Sequence, residues 1–213
     1  MIQVPKHKLV LEAPGGATRV LLHTCCAPCS SAIIECMLQQ GITPVIYYSN
    51  ANIFPLEEYL HRKDECTRYA EALGLEIVDD DWAHDEWRRE VARGRENEPE
   101  RGARCLECFK FRLLRAARFA STHGFTVLTT TLASSRWKNL DQVNAAGLSA
   151  CAAVNAASAG GCGKGQGPLI WWPQNWRKGG LQDRRNQIIK EMDFYNQQYC
   201  GCEYSMRNKE ESL

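Results

Sequence analysis

The strongest constraint on the fold is a pair of short strand-like runs separated by a helix-periodic segment near the N-terminus. Arg19 to Thr24 (RVLLHT) reads as a buried strand and Thr43 to Ser49 (TPVIYYS), rich in β-branched and aromatic residues, as a second. Between them Ser30 to Gln40 places Ile33, Ile34, Met37 and Leu38 at helical spacing, and Gly41 is positioned to end the helix. This is a βαβ unit, which implies parallel strands. The pattern continues with a helix over Leu56 to Leu73, a strand around Leu75 to Val78, a helix around Asp85 to Arg93, a helix over Phe109 to His123 and a strand over Thr126 to Thr131. Strands alternating with helices predict an α/β fold, Rossmann-like, with a mostly parallel sheet flanked by helices. After Asn139 the pattern loosens. Ala145 to Ala159 is Ala-rich and helix-compatible, Gly160 to Gly167 reads as a flexible insertion, and a polar helix over Leu181 to Tyr195 leads to Tyr199-Cys200-Gly201-Cys202. With 213 residues the expectation is one domain with an elaborated C-terminal part, its core spanning about residues 19–205.

Eleven cysteines are the compositional outlier. They suit either a secreted disulfide scaffold or an intracellular metal or redox protein. Met1 to Pro14 has no apolar run followed by a small-residue cleavage site, and Arg19 to Thr24 is far too short to cross a bilayer. The expectation is a cytoplasmic chain without a membrane partner, whose thiols start reduced.

Cys25 and Cys26 fall just after the first strand and just before a helix, where open α/β sheets place functional groups and where the helix dipole favours thiolate. Neighbouring Cα atoms lie only about 3.8 Å apart, so the two do not readily close a relaxed disulfide, and two soft ligands to one metal or cluster is the better use. Cys26-Ala-Pro-Cys29 also spells a CxxC at a helix start, as in thioredoxin-like oxidoreductases, but that reading leaves Cys25 and a second CxxC, Cys105-Leu106-Glu107-Cys108, unexplained. Cys29 stays open as ligand, supporting thiol or packing. Cys105 and Cys108 follow a polar loop and open the next helix, with spacing that lets both sulfurs converge on one centre. A CC pair plus a CxxC gives four thiolates, enough for tetrahedral zinc or a 4Fe-4S cluster, and spacing alone does not choose. Cys200 and Cys202, with glycine between, form a tight turn suited to an easily reduced disulfide or to two incidental thiols. Cys36 and Cys66 read as core, and Cys151 and Cys162 as outside any site.

Net charge is only +1, but basic residues concentrate between Arg88 and Arg118 and again at Arg177, Lys178, Arg184 and Arg185. Such patches suit a polyanion, although the glutamates interleaved with the first group fit a solvated, ion-paired face equally well.

The segments LLHTCCAPCS (Leu21 to Ser30), ERGARCLECFKFRL (Glu100 to Leu114), TTTLASSRWKN (Thr129 to Asn139) and YCGC (Tyr199 to Cys202) together resemble epoxyqueuosine reductases of the QueH type, in the same order along the chain from about Arg19 to Ser205. The resemblance implies reduction of epoxyqueuosine to queuosine at the wobble position of transfer RNA, the last step of queuosine synthesis. It implies a 4Fe-4S cluster on Cys25, Cys26, Cys105 and Cys108, a redox-active disulfide between Cys200 and Cys202, and an external electron donor. A zinc-stapled RNA-binding module using the same four thiolates is the competing expectation. For the RNA surface, Arg136, Lys138, Arg177 and Lys178 with Trp137, Trp172 and Trp176 are candidates, though Trp171 and Trp172 fit a core as well. Asp80, Asp81, His84 and Asp183 are the candidate proton donors. The Ala145 to Gly167 segment departs from the family pattern.

Overall fold

The computed structural model describes residues 7–159, 167–197 and 199–205. The expected Gly160 to Gly167 insertion, with Cys162, falls almost entirely outside the described residues.

Five parallel strands form one sheet in the order β3-β2-β1-β4-β5, with β1 Arg19–Thr24, β2 Thr43–Tyr48, β3 Ile77–Asp79, β4 Val127–Thr130 and β5 Ile170–Trp171. The helices are α1 Ala27–Gln39, α2 Leu56–Ala72, α3 His84–Trp87, α4 Ala103–Thr122, α5 Leu140–Ala159 and α6 Leu181–Glu191; α3 runs on into a π-helical turn, Arg88–Ala92. The Rossmann-like α/β expectation is borne out, and the described strands are all parallel.

The alternation of side chains along β1 divides the interior in two. Val20 and Leu22 join α1, α2 and α6 through Ile33, Tyr59 and Ile188, whereas Leu21 joins α4 and α5 through Leu113 and Val143 on the other face. Burial on both faces explains why Val20 to Leu22 is a continuous apolar run rather than alternating.

The structure sharpens four points. Helix α4 begins at Ala103, not Phe109, so Cys105 and Cys108 lie inside its first two turns. The expected helix around Asp85 to Arg93 is α3 with its π-helical turn. Helix α5 takes in all of Leu140–Ala159, and Cys151 is buried on it rather than lying in a loosened segment. Strand β5 was not anticipated, because two residues carry no periodicity; it forms by pairing Ile170 and Trp171 with Val127 and Leu128.

Candidate functional site

The chain leaves β1 toward α1 on one side of the sheet and leaves β4 toward α5 on the other, so the C-terminal ends of β1 and β4 flank the point where strand order reverses. Ligands of open α/β sheets bind there. Cys25 follows β1 directly, and its backbone N-H donates to Thr131 Oγ1, just past β4, at 3.2 Å. Beneath the pair, buried His23 bonds Thr130 Oγ1 at 2.7 Å and the Ser49 carbonyl at 3.1 Å. Burial, reinforced by the Arg112 charge, pulls His23 down to about 3, so it stays neutral and serves the architecture.

Cys25, Cys26 and Cys29 bring their sulfurs within 4.8 Å of one another at the start of α1, a group able to hold a metal ion. Cys29, left open by the sequence, belongs with the other two, since its i+3 position on α1 returns it to the same side as Cys26. The Cys25 sulfur lies 3.8 Å from Cys26 Sγ and 3.4 Å from Thr131 Oγ1. Gln197 donates to Cys26 Sγ at 2.8 Å and to Cys29 Sγ at 3.5 Å. The three thiols share one negative charge: hydrogen bonds from Cys26 and then Cys29 hold Cys25 well below the ordinary thiol range. Burial and that same bond raise Cys26 well above it, and Cys29 is pushed up to about 11 chiefly by its bond to Cys25.

Cys105, Cys108, Cys200 and Cys202 line a single cavity of about 60 Å³, walled also by Asn52, Trp137 and Lys138. Burial raises Cys105 to about 11 and raises Cys108 as well. Cys200 and Cys202 are both free thiols. A hydrogen bond from the Cys202 thiol, with Lys138 assisting against the cost of burial, holds Cys200 well below the ordinary range, and Cys202 is raised in exchange. Their turn is anchored by Asn52 Nδ2 to the Cys200 carbonyl at 3.4 Å, by the Phe54 N-H to the Gly201 carbonyl at 2.9 Å and by Arg62 to the Tyr199 carbonyl at 3.2 Å.

Lys138 connects the two groups of thiols. Burial opposes its charge, but the negative sulfurs of Cys25 and Cys200 outweigh that cost and keep it an ammonium. The sequence placed Lys138 on an RNA surface; the structure gives it the cavity wall. Sulfur dominates the donor set, which suits a soft metal or an iron-sulfur centre rather than calcium or magnesium.

Other candidates are redistributed. Trp171, Trp172 and Trp176 are buried, so none of them offers a surface for RNA; Trp176 also spends its Nε1 on the Thr130 carbonyl at 2.9 Å. The Arg177 guanidinium is committed to the carbonyls of Ser135 and Lys138 at 2.6 and 2.7 Å. Trp137 is exposed. The basic stretch from Arg88 to Arg118 is split, with Arg104 and Arg112 buried and Arg115 paired with Asp80. None of Asp80, Asp81, His84 and Asp183 lines the cavity. Burial disfavours the Asp80 carboxylate, but Arg115 and Ser49 outweigh it and hold Asp80 below its usual range, so it is no proton donor at neutral pH.

A family model described as "Epoxyqueuosine reductase QueH" matches residues 20–208. The chain is 43% identical over 198 residues to the epoxyqueuosine reductase QueH of Histophilus somni, covering 93% of this chain and 76% of that protein. It is likewise 43% identical to that of Haemophilus influenzae over the same shares, and 42% identical to that of Acinetobacter baylyi over 95% of this chain and 87% of the relative. With sheet, switch-point thiols and C-terminal Cys-Gly-Cys in one arrangement, and relatives matched over most of their length, the chain belongs to the epoxyqueuosine reductase QueH family.

Proposed function

We propose that the epoxyqueuosine reductase reaction proceeds in this chain at the thiol-lined cavity. In this reading Cys25, Cys26, Cys105 and Cys108 hold a 4Fe-4S cluster, Cys200 with Cys202 is a redox-active pair, and the substrate is a tRNA carrying epoxyqueuosine at its wobble position. The observation that carries it is the lining of one cavity by both the Cys105/Cys108 pair and the Cys200/Cys202 pair, with Lys138 on its wall held as an ammonium by the charges of Cys25 and Cys200.

The chemistry balances on this chain's residues. Removing the epoxide oxygen as water to leave an alkene takes up two electrons and two protons. Oxidation of the Cys200/Cys202 dithiol to a disulfide releases two electrons and two protons, and an external donor then reduces the pair again. A bound cluster supplies electrons singly. Lys138 holds positive charge beside the sulfurs, and the buried walls of Trp87 and Phe109 exclude water from the cavity. The proposed compartment is the cytoplasm, and no described helix is long and apolar enough to cross a membrane.

A second reading has one observation in its favour: three sulfurs within 4.8 Å suit a single tetrahedral ion, as in a zinc-stapled RNA-binding module. The deciding experiment is anaerobic incubation of the reconstituted protein and a reductant with epoxyqueuosine-containing tRNA, followed by nucleoside mass spectrometry. Queuosine and a brown, iron-rich protein are expected; colourless protein with stoichiometric zinc and no product supports the module. A Cys200→Ser variant with full multiple-turnover activity removes the disulfide from the scheme.

A further inference from the structure

The loop between β4 and α5 carries Trp137 past the mouth of the cavity that Cys105, Cys108, Cys200 and Cys202 line. Trp137 is 65% exposed, whereas the other aromatic side chains of that lining, Trp87 and Phe109, are buried. A large apolar ring thus stands in solvent beside the thiols. The Arg136 guanidinium covers one face of it, 5.4 Å from the ring centroid.

The backbone under this ring is tied down by Arg101. Arg101 Nε donates to the Trp137 carbonyl at 2.8 Å and Nη2 to the Arg136 carbonyl at 3.4 Å. Its own N-H donates to Cys105 Sγ at 3.3 Å, and its carbonyl accepts from Gln142 Nε2 at 2.9 Å. Arg101 makes these four bonds at φ 68, in the left-handed region that non-glycine residues seldom occupy. Strained backbone of this kind persists where the surroundings over-determine it, and it clusters at ligand clamps. Here it links a cavity thiol to the exposed indole.

We propose that Trp137, positioned by Arg101, is the stacking platform for the substrate's nucleobase. The inference rests on the tRNA-reductase reading above and adds the residue that receives the base. A wobble base that enters a cavity must leave its neighbours in the anticodon loop, and proteins replace those lost contacts with an aromatic face. Trp137 is the exposed aromatic side chain of that lining, and Arg136 sets a positive charge beside it that suits a polyanionic strand.

The test measures affinity of the iron-loaded protein for an anticodon stem-loop bearing epoxyqueuosine, and for the same stem-loop with an abasic wobble position. Trp137→Ala is expected to weaken binding of the first roughly 5- to 150-fold, the range that a base-aromatic stack of about 1–3 kcal/mol produces. Trp137→Phe recovers most of that loss, and the abasic stem-loop binds wild type and Trp137→Ala alike. Binding by Trp137→Ala within about twofold of wild type, or losses from the variant and the abasic site that simply add, overturns the platform. Turnover is followed in parallel: a wild-type protein that shows the stacking signature but forms no queuosine sinks the assigned reaction and leaves the platform standing.

Discussion

The side-chain amide of Gln197 donates a 2.8 Å hydrogen bond to the sulfur of Cys26, joining the segment after α6 to the first turn of α1. Because Cys200 and Cys202 follow within a few residues, this bond and the backbone anchors of the Cys-Gly-Cys turn fix the distance between the two groups of thiols. Gln197→Leu keeps the volume and removes the donor. Under the proposed assignment of Cys26 as a cluster ligand, outer partners of metal ligands being commonly worth about 10- to 100-fold in affinity, iron retention against a chelator is expected to fall by that order, with the unfolding midpoint little changed. Iron held as tightly as in wild type would reduce Gln197 to packing.

Gly201 is the hinge of the Cys200/Cys202 turn. Its φ of 98 lies in the region that favours glycine, and an added Cβ would come within 2.7 Å of Ile53 Cγ1 and 3.2 Å of Arg62 Nη1. Gly201→Ala therefore meets backbone strain and a clash together, at a cost of about 1–3 kcal/mol. Since the turn moves to relieve them, multiple-turnover activity is expected to fall further than stability does. A variant that loses stability but keeps full activity would show that the turn's position is not critical.

Asp80 and Arg115 form a two-pronged ion pair at 2.6 and 2.7 Å, with Ser49 adding a third bond to the carboxylate. The folded-state pKa of Asp80 is depressed. The pair's contribution is therefore fully present above the unfolded carboxyl pKa of about 3.9 and is lost as pH falls through the folded value. Arg115→Met leaves a largely buried carboxylate unpaired. It should cost on the order of 2 kcal/mol at neutral pH, below the roughly 3–5 kcal/mol of a fully buried pair. The gap from wild type narrows only as pH falls through the depressed folded value of Asp80, below which both proteins carry it neutral; a pH-independent gap would assign the loss to packing of the Arg115 stem.

Strands β1 and β2 were legible almost to the residue because their apolar runs are bounded by polar and glycine-containing segments. The start of α4 was not, since Ala103 to Cys108 alternates cysteine with charge and shows no apolar period until the fold buries Arg104 and Cys108 together. The thiol motifs are readable from spacing, but the convergence of Cys25, Cys26 and Cys29, and the electrostatic coupling of Lys138 to both groups, exist only in three dimensions. The Trp171-Trp172 and Trp176 side chains turned inward for a reason no local pattern contains. β5 adds to the sheet edge, so successive residues at its end face opposite layers, Trp171 against α5 and Trp172, just past the strand, against the α1 side.

Trp171 makes Gly147 a test of that packing. Replacing an ordinary helical glycine with alanine stabilises by up to about 1 kcal/mol. On α5, however, a Cβ at position 147 would sit 2.3–2.4 Å from three atoms of the Trp171 indole, a ring also fixed by its Nε1 bond to Asn144 at 3.2 Å. Overpacking of about 1–3 kcal/mol should outweigh the helix gain. Gly147→Ala is expected to be net destabilising by urea denaturation, with the indole fluorescence perturbed; a stabilised variant would show that α5 can slide away from the sheet at no cost.

The Cys200/Cys202 pair offers a test of electrostatics that needs no substrate. In the reduced, iron-free protein Cys200 has a depressed pKa, so below the ordinary thiol pKa of about 8.5 it keeps more thiolate than an ordinary thiol, and iodoacetamide should label it faster there. The principal cause is the hydrogen bond from Cys202, followed in its favour by the Lys138 charge, both working against burial. Cys202→Ala removes the donor, so the pKa of Cys200 rises, the thiolate fraction below the ordinary thiol pKa drops and labelling slows there. Cys202→Ser keeps a hydroxyl donor and should stay close to wild type. Peptide mapping by mass spectrometry separates Cys200 from Cys25, whose thiolate has its own donors in Cys26 and Cys29. Labelling of Cys200 that is equally fast below the ordinary thiol pKa in Cys202→Ala would transfer the effect to Lys138, and the Cys-Gly-Cys turn would then hold two independent thiols rather than one shared charge.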